Sequence, residues 1–186
     1  MQLPRKVLSV MISALLCLSS MFAEPVDGVH ARIELVAEGE AIVPGEVFEV
    51  AVHFEIDPHW HIYWQNPGAS GLPPEITWGL PDGFEAGEIE WPAPKQIELG
   101  GLVNYGYEDE ATFIVPIRAP ASLELGTSVE IVADLFYLIC EEACLPGEAQ
   151  LQLTLPVAAE SSLGGKAALF EAARGAQSLS AIRLVS

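Results

Sequence analysis

Phe48-Glu49-Val50-Ala51-Val52-His53-Phe54-Glu55-Ile56 alternates with period two, placing Phe48, Val50, Val52, Phe54 and Ile56 on one side and Glu49, Ala51, His53 and Glu55 on the other. Successive side chains of an extended chain point to opposite faces, so this run predicts a half-buried antiparallel strand. The same alternation returns in 33–36, 60–64, 112–117, 129–139 and 149–155, the last with Gln150, Gln152 and Thr154 facing out. Clusters rich in Gly and Pro separate the runs, among them 66–71, 81–83 and 92–94, and Gly100-Gly101 reads as a further turn. Many short strands with such punctuation predict an all-β fold, an immunoglobulin-like sandwich of two antiparallel sheets. Helix is expected only near the C-terminus, over 165–176, where Ala168, Leu169, Ala172 and Ala173 form a modest apolar face.

The start of the chain reads differently. Arg5 and Lys6 precede an apolar stretch, 7–22, that ends on the small residue Ala23, which is the layout of an export signal. Residues 1–23 are therefore expected to be a signal peptide directing the chain to the periplasm, an uncleaved anchor being the alternative. Leu15 and Leu16 precede Cys17, which argues against a lipid-modified cysteine. The remainder suffices for one domain with a sizeable core and is short for two, so 24–158 is expected to be that domain and 159–186 a helical extension or a truncated linker. Nothing after the leader approaches 18 uninterrupted apolar residues.

The chain carries 26 acidic side chains against 8 Lys and Arg, a formal net charge of −18, yet 51% of it is hydrophobic. Such a chain folds rather than staying disordered. Its charge excludes nucleic acid, whose binding needs clustered Lys and Arg, and disfavours anionic lipid. A basic docking surface on a protein partner would be attracted, although acidity also serves plain solubility.

With Cys17 in the leader, Cys140 and Cys144 are the remaining thiols, in the run Tyr137-Leu138-Ile139-Cys140-Glu141-Glu142-Ala143-Cys144-Leu145-Pro146. Cys140 ends an apolar strand and Pro146-Gly147 is expected to turn the chain into the next one, so the two should flank a tight loop with Cα atoms roughly 6 Å apart, within disulfide range. An exported compartment permits the bond. A five-residue ring would contribute about 2 kcal/mol in the chain-entropy model, against roughly 4 to 5 kcal/mol for a loop near 100 residues. That makes the pair a poor staple and favours a redox role; a structural bridge and metal ligation stay open. Glu141 and Glu142 lie between the thiols and no Lys, Arg or His is near in sequence, so local charge disfavours the thiolate. Such a thiol reacts slowly until a docked partner supplies better surroundings.

Gly100-Gly101-Leu102-Val103-Asn104-Tyr105-Gly106-Tyr107, the 140–146 segment, and the stretches 60–71 and 91–94 together resemble the N-terminal periplasmic domain of DsbD-like and ScsB-like thiol:disulfide interchange proteins. The resemblance spans about Ile33 to Val157. It implies an immunoglobulin-like sandwich whose cysteines accept electrons from a membrane-embedded reductase module and pass them to periplasmic thioredoxin-fold proteins, a relay of the kind that serves cytochrome c biogenesis. It implies that Cys144 forms the mixed disulfide with a partner and that Cys140 resolves it. It also implies that Asn104, Tyr105, Gly106 and Tyr107 form a cap loop over the thiols; ordinary packing between strands is the plainer reading of the two tyrosines. DsbD itself spaces its cysteines more widely, and neither the membrane module nor a thioredoxin-like module is present in these 186 residues, so the expectation is either a stand-alone domain supplied with electrons in trans or a truncated reading frame.

His59, His61 and Tyr63 are expected to share one face of a strand, opposite Trp60, Ile62 and Trp64. Imidazoles so spaced can ligate copper or zinc, alone or with the thiols, though the spacing is a weak signal and solvent-facing strand histidines are the commoner case. No nucleophile elbow or phosphate-cradling loop is present, and no cofactor is expected. The leading expectation is a monomeric periplasmic dithiol carrier. The competing class is an exported binding module whose short disulfide only holds a loop.

Overall fold

The computed structural model describes residues 24–183, with side chains described through 175; the expected signal peptide and Cys17 lie outside the described residues. Eleven strands and one helix follow in order: β1 (Val26–Asp27), β2 (Ala31–Ala37), β3 (Val47–Ile56), β4 (His61–Gly68), β5 (Glu75–Gly79), β6 (Glu85–Ala86), β7 (Lys95–Leu99), β8 (Leu102–Glu108), β9 (Glu110–Arg118), β10 (Ser128–Cys140), β11 (Cys144–Pro156) and α1 (Ala167–Arg183). One sheet runs β1-β2-β3-β9-β6 and the other β11-β10-β4-β8-β7, with β5 also pairing β10. Adjacent named strands pair antiparallel throughout, as the alternation requires. The architecture is the expected immunoglobulin-like sandwich.

Its core is the set of inward residues that the period-two pattern marks. Val50, Val52 and Phe54 of β3 are fully buried and stand opposite Val115, Phe113 and Ala111 of β9. Ile131, Ala133, Tyr137 and Ile139 of β10 supply the facing layer. Phe54 joins the layers, edge-on to Phe113 with centroids 5.7 Å apart and to Tyr137 at 5.3 Å, geometry that suits the ring quadrupoles. The Tyr137 hydroxyl accepts from the Val29 amide at 2.8 Å and donates to the Val29 carbonyl at 3.2 Å, so its polar end is satisfied.

Three expectations need correction. Ala51 and His53 do not face solvent: both are buried, Ala51 beneath α1, whose Phe170 is fully buried against Val36, Ala51 and Ile114. The helix seats through Phe170 and Ala173, one turn apart, whereas Ala168 and Ala172 are exposed. Arg174 clamps it with hydrogen bonds to both Glu38 oxygens at 2.8 and 3.1 Å and one to Glu49, and Lys166 pairs with Glu34. Two residues along β3 from Ala51, His53 Nδ1 meets its cross-strand neighbour Thr112 Oγ1 at 2.9 Å, and burial lowers the His53 pKa.

The second correction concerns Pro146 and Gly147. They do not make the turn; they lie inside β11, opposite Leu138 and Tyr137. A Cβ on Gly147 would stand 2.3 Å from Tyr137 Cζ, so glycine is there to admit the ring. The turn is 141–143. Gly100 and Gly101 behave as expected, forming a two-residue hairpin link between β7 and β8 with φ of 58° and 81°. Finally, His59 sits in the turn before β4, exposed and with φ of 76°, so it does not share a strand face with His61.

Candidate functional site

β10 and β11 are paired along their whole length, and the last pair of that ladder is Cys140 with Cys144. The two are disulfide-bonded with Cα atoms 4.1 Å apart, closer than the arc expected from sequence because they are directly opposed cross-strand residues. Their surroundings differ sharply. Cys140 is fully buried, while Cys144 and the turn residues Glu141, Glu142 and Ala143 are exposed.

β4 lies against the other edge of β10 and sets His61 directly opposite Cys140 and Ile62 opposite Ile139. Two residues on, and therefore on the same face as His61, Tyr63 is fully buried and reaches the sulfurs. Its hydroxyl donates to Cys140 Sγ at 3.0 Å and lies 3.6 Å from Cys144 Sγ. His61 Nε2 stands 3.3 Å from the same hydroxyl, with the rings edge-to-face at 5.3 Å. Desolvation lowers the His61 pKa against the pull of Glu108, so the imidazole near the sulfurs is neutral at pH 7. Desolvation raises the Tyr63 pKa, the neighbouring Ser70 side chain opposing it, so the phenol keeps its proton and serves as a donor.

Sequence proximity hid these two groups. The sulfurs are flanked in sequence by acids alone, yet a strand some eighty residues earlier brings them a phenol and an imidazole. The alternation of His61, Tyr63 and their neighbours was the signal that placed both on one face; nothing local indicated that the face would meet the thiols.

Asn104, Tyr105, Gly106 and Tyr107 lie in strand β8, with β4 between them and β10, rather than in a loop. Tyr107 is buried, its hydroxyl donating to Pro92 O at 2.9 Å and its ring edge-on to Phe113 at 5.4 Å. Gly106 admits the Ile62 carbonyl, which would stand 2.1 Å from a Cβ there. Tyr105 is 37% exposed and edge-on to Trp64. Asn104 is fully buried, its Oδ1 accepting from the Ser70 amide at 2.9 Å and the Ser70 hydroxyl at 3.0 Å.

Among the described residues no group of three or more His, Cys, Asp or Glu is arranged to hold a metal ion, and no helix is long and apolar enough to cross a membrane.

The family model for the N-terminal region of thiol:disulfide interchange protein DsbD matches residues 32–156, strands β3 to β11 and both cysteines included. The chain belongs to the DsbD N-terminal domain family. Its fold is similar to the crystal structure of the N-terminal periplasmic domain of ScsB from Proteus mirabilis, with a TM-score of 0.58 and 18% identity over 80% of this chain and 54% of that one. The chain thus spans about half the length of that ScsB structure. The reduced N-terminal domain of DsbD from Neisseria meningitidis aligns with a TM-score of 0.41 and 15% identity over 70% of this chain and 88% of that one. No curated protein matches the sequence. Membership of the DsbD N-terminal family and the Cys140–Cys144 bond together point to thiol:disulfide exchange as the general chemistry of the site.

Proposed function

We propose that the chain is a periplasmic dithiol carrier that takes electrons from a membrane-embedded reductase module of DsbD or ScsB type and delivers them to periplasmic thioredoxin-fold proteins. The observation that carries this reading is the asymmetry of the sulfur pair: one sulfur accessible, the other buried and holding a hydrogen bond from Tyr63.

Charging begins when a donor thiolate attacks the exposed Cys144 Sγ. The Cys140–Cys144 bond breaks as the donor–Cys144 bond forms, and Cys140 departs as a thiolate that Tyr63 stabilises by donating to it at the distance already present. The donor's second thiolate then attacks its own sulfur in that mixed disulfide and releases Cys144. The donor leaves oxidised; the carrier holds two electrons and takes up two protons from water. In delivery, Cys144 thiolate attacks the acceptor disulfide and expels one acceptor thiolate, and Cys140 then attacks Cys144 Sγ. The carrier disulfide reforms and the second acceptor thiolate departs, so the acceptor is reduced by two electrons.

Asn104 to Tyr107 would contribute to covering the pair through the packing of β8 on β4. The acidic surface favours partners with a basic docking face, and a monomer leaves the Cys144 side open to them.

Two measurements test the proposal. A Cys140→Ala variant should accumulate mixed disulfides through Cys144 with periplasmic thioredoxin-fold proteins, and the absence of any adduct refutes the carrier. The reduction potential should fall between those of donor and acceptor; a value well below about −300 mV marks an inert structural bond and favours a binding module instead.

A further inference from the structure

We propose that Ser70 and Asn104 are positioning residues for the exchange reaction: they lock the turn after β4 onto Tyr63 so that its phenolic hydrogen stays on the buried sulfur. This inference rests on the carrier reading and adds residues to its site.

The clamp is built from three contacts. Asn104 Oδ1 takes two hydrogen bonds from Ser70, from the amide at 2.9 Å and the hydroxyl at 3.0 Å. Next along the turn, Gly71 has φ of 89° and lies against the Tyr63 ring, whose Cε1 and Cζ would stand 2.3 Å from a Cβ there. On the other side, Gly68, with φ of 90°, would bring a Cβ to 2.6 Å from the Val103 carbonyl. The turn is therefore wedged between β8 and the phenol, and only glycine fits at its two contact points.

Hydrogen counting gives Ser70 its role. The Tyr63 hydroxyl has a single hydrogen, and in the disulfide state it lies on Cys140 Sγ. Its oxygen faces His61 Nε2 at 3.3 Å, while Ser70 gives both its amide and its hydroxyl hydrogen to Asn104 Oδ1 and so is held from two points. Holding Ser70 there keeps Gly71 against the Tyr63 ring, and the ring so fixed keeps its hydroxyl 3.0 Å from Cys140 Sγ. Asn104 uses only its oxygen: Nδ2 is buried with no hydrogen-bond partner. A buried amide left half unpaired is costly, so what Asn104 supplies at this position is the pair of bonds to Ser70.

The test is the rate at which dithiothreitol reduces the Cys140–Cys144 bond in the folded oxidised protein. Ser70→Ala should slow it roughly two- to threefold, the share expected of one neutral hydrogen bond felt partly in the transition state. Ser70→Thr, which keeps the hydroxyl, should restore the rate. In a Tyr63→Phe background Ser70→Ala should change nothing, because the group it orients is gone. Asn104→Ala should slow the reaction at least as much; should that variant fail to fold, the Ser70 series alone decides. An unchanged rate in Ser70→Ala, a Thr variant as slow as Ala, or a full Ser70→Ala effect without the phenol overturns the inference while leaving the carrier intact. A wild-type disulfide that dithiothreitol cannot open at all overturns both.

Discussion

Replacing Tyr63 by Phe removes one oxygen and leaves the ring that packs against Gly71. In the oxidised protein that oxygen donates to Cys140 Sγ at 3.0 Å, and the bond becomes charge-assisted when Cys140 leaves as a thiolate. Hydrogen bonds to charged groups contribute about 1.5–3 kcal/mol. If roughly half of that is expressed in the transition state, in line with the Brønsted coefficients of thiol exchange, reduction slows about fourfold to thirteenfold. The loss also leaves His61 Nε2 without its phenol neighbour, a cost of about 1 kcal/mol in global stability. Stopped-flow measurement of dithiothreitol reduction, with a urea titration on the same samples, separates the two effects. A Tyr63→Phe protein that is reduced as fast as wild type refutes the assignment of the phenol as the donor to the leaving sulfur. So does a slowdown that disappears when partial unfolding is accounted for.

Gly147→Ala should destabilise the fold by about 1–3 kcal/mol in chemical denaturation, since the added Cβ meets the buried Tyr137 ring. Phe170→Ala empties the seat of α1 and should cost about 3–5 kcal/mol or release the helix; either way hydrogen exchange in α1 rises while the dithiothreitol rate is unchanged, because the helix covers the sheet that does not hold the sulfurs. His53 has its pKa lowered on folding by burial, so below its ordinary value of 6.5 the unfolded chain binds the proton more readily than the folded one. Stability from this residue is therefore complete above that pH and is lost as pH falls beneath it; urea midpoints between pH 7.5 and 5 should fall less steeply in His53→Gln than in wild type.

The strands of the core were legible because burial on one face leaves a period-two trace, and 48–56 shows it without interruption. The same trace misled at Ala51 and His53, where the second face is buried too: Ala51 is small enough to sit under a helix and His53 is satisfied by Thr112, and neither fact shows in the alternation. β5, β7 and β8 leave a weaker trace: β5 ends on Gly79, β7 buries only Ile97 of its five residues, and β8 is interrupted by Asn104 and Gly106, which serve a buried hydrogen bond and a close backbone approach. At the site, the sulfur pair stood out by elimination. The phenol that serves it did not, since its distance from Cys140 along the chain is closed only by the pairing of β4 with β10.

That Cys140 and Cys144 crown an uninterrupted antiparallel ladder has a consequence for what opening their bond would release. Most crosslinks tether segments that would otherwise drift, so cutting them invites unravelling, proteolysis or mispairing. Here the neighbouring rungs already hold the hairpin tip in register, and severing the topmost rung releases two side chains and no backbone. For the carrier proposed above, opening and closing the bond would leave the strand pairing from Ser128–Pro156 to Ile139–Leu145 to hold the hairpin.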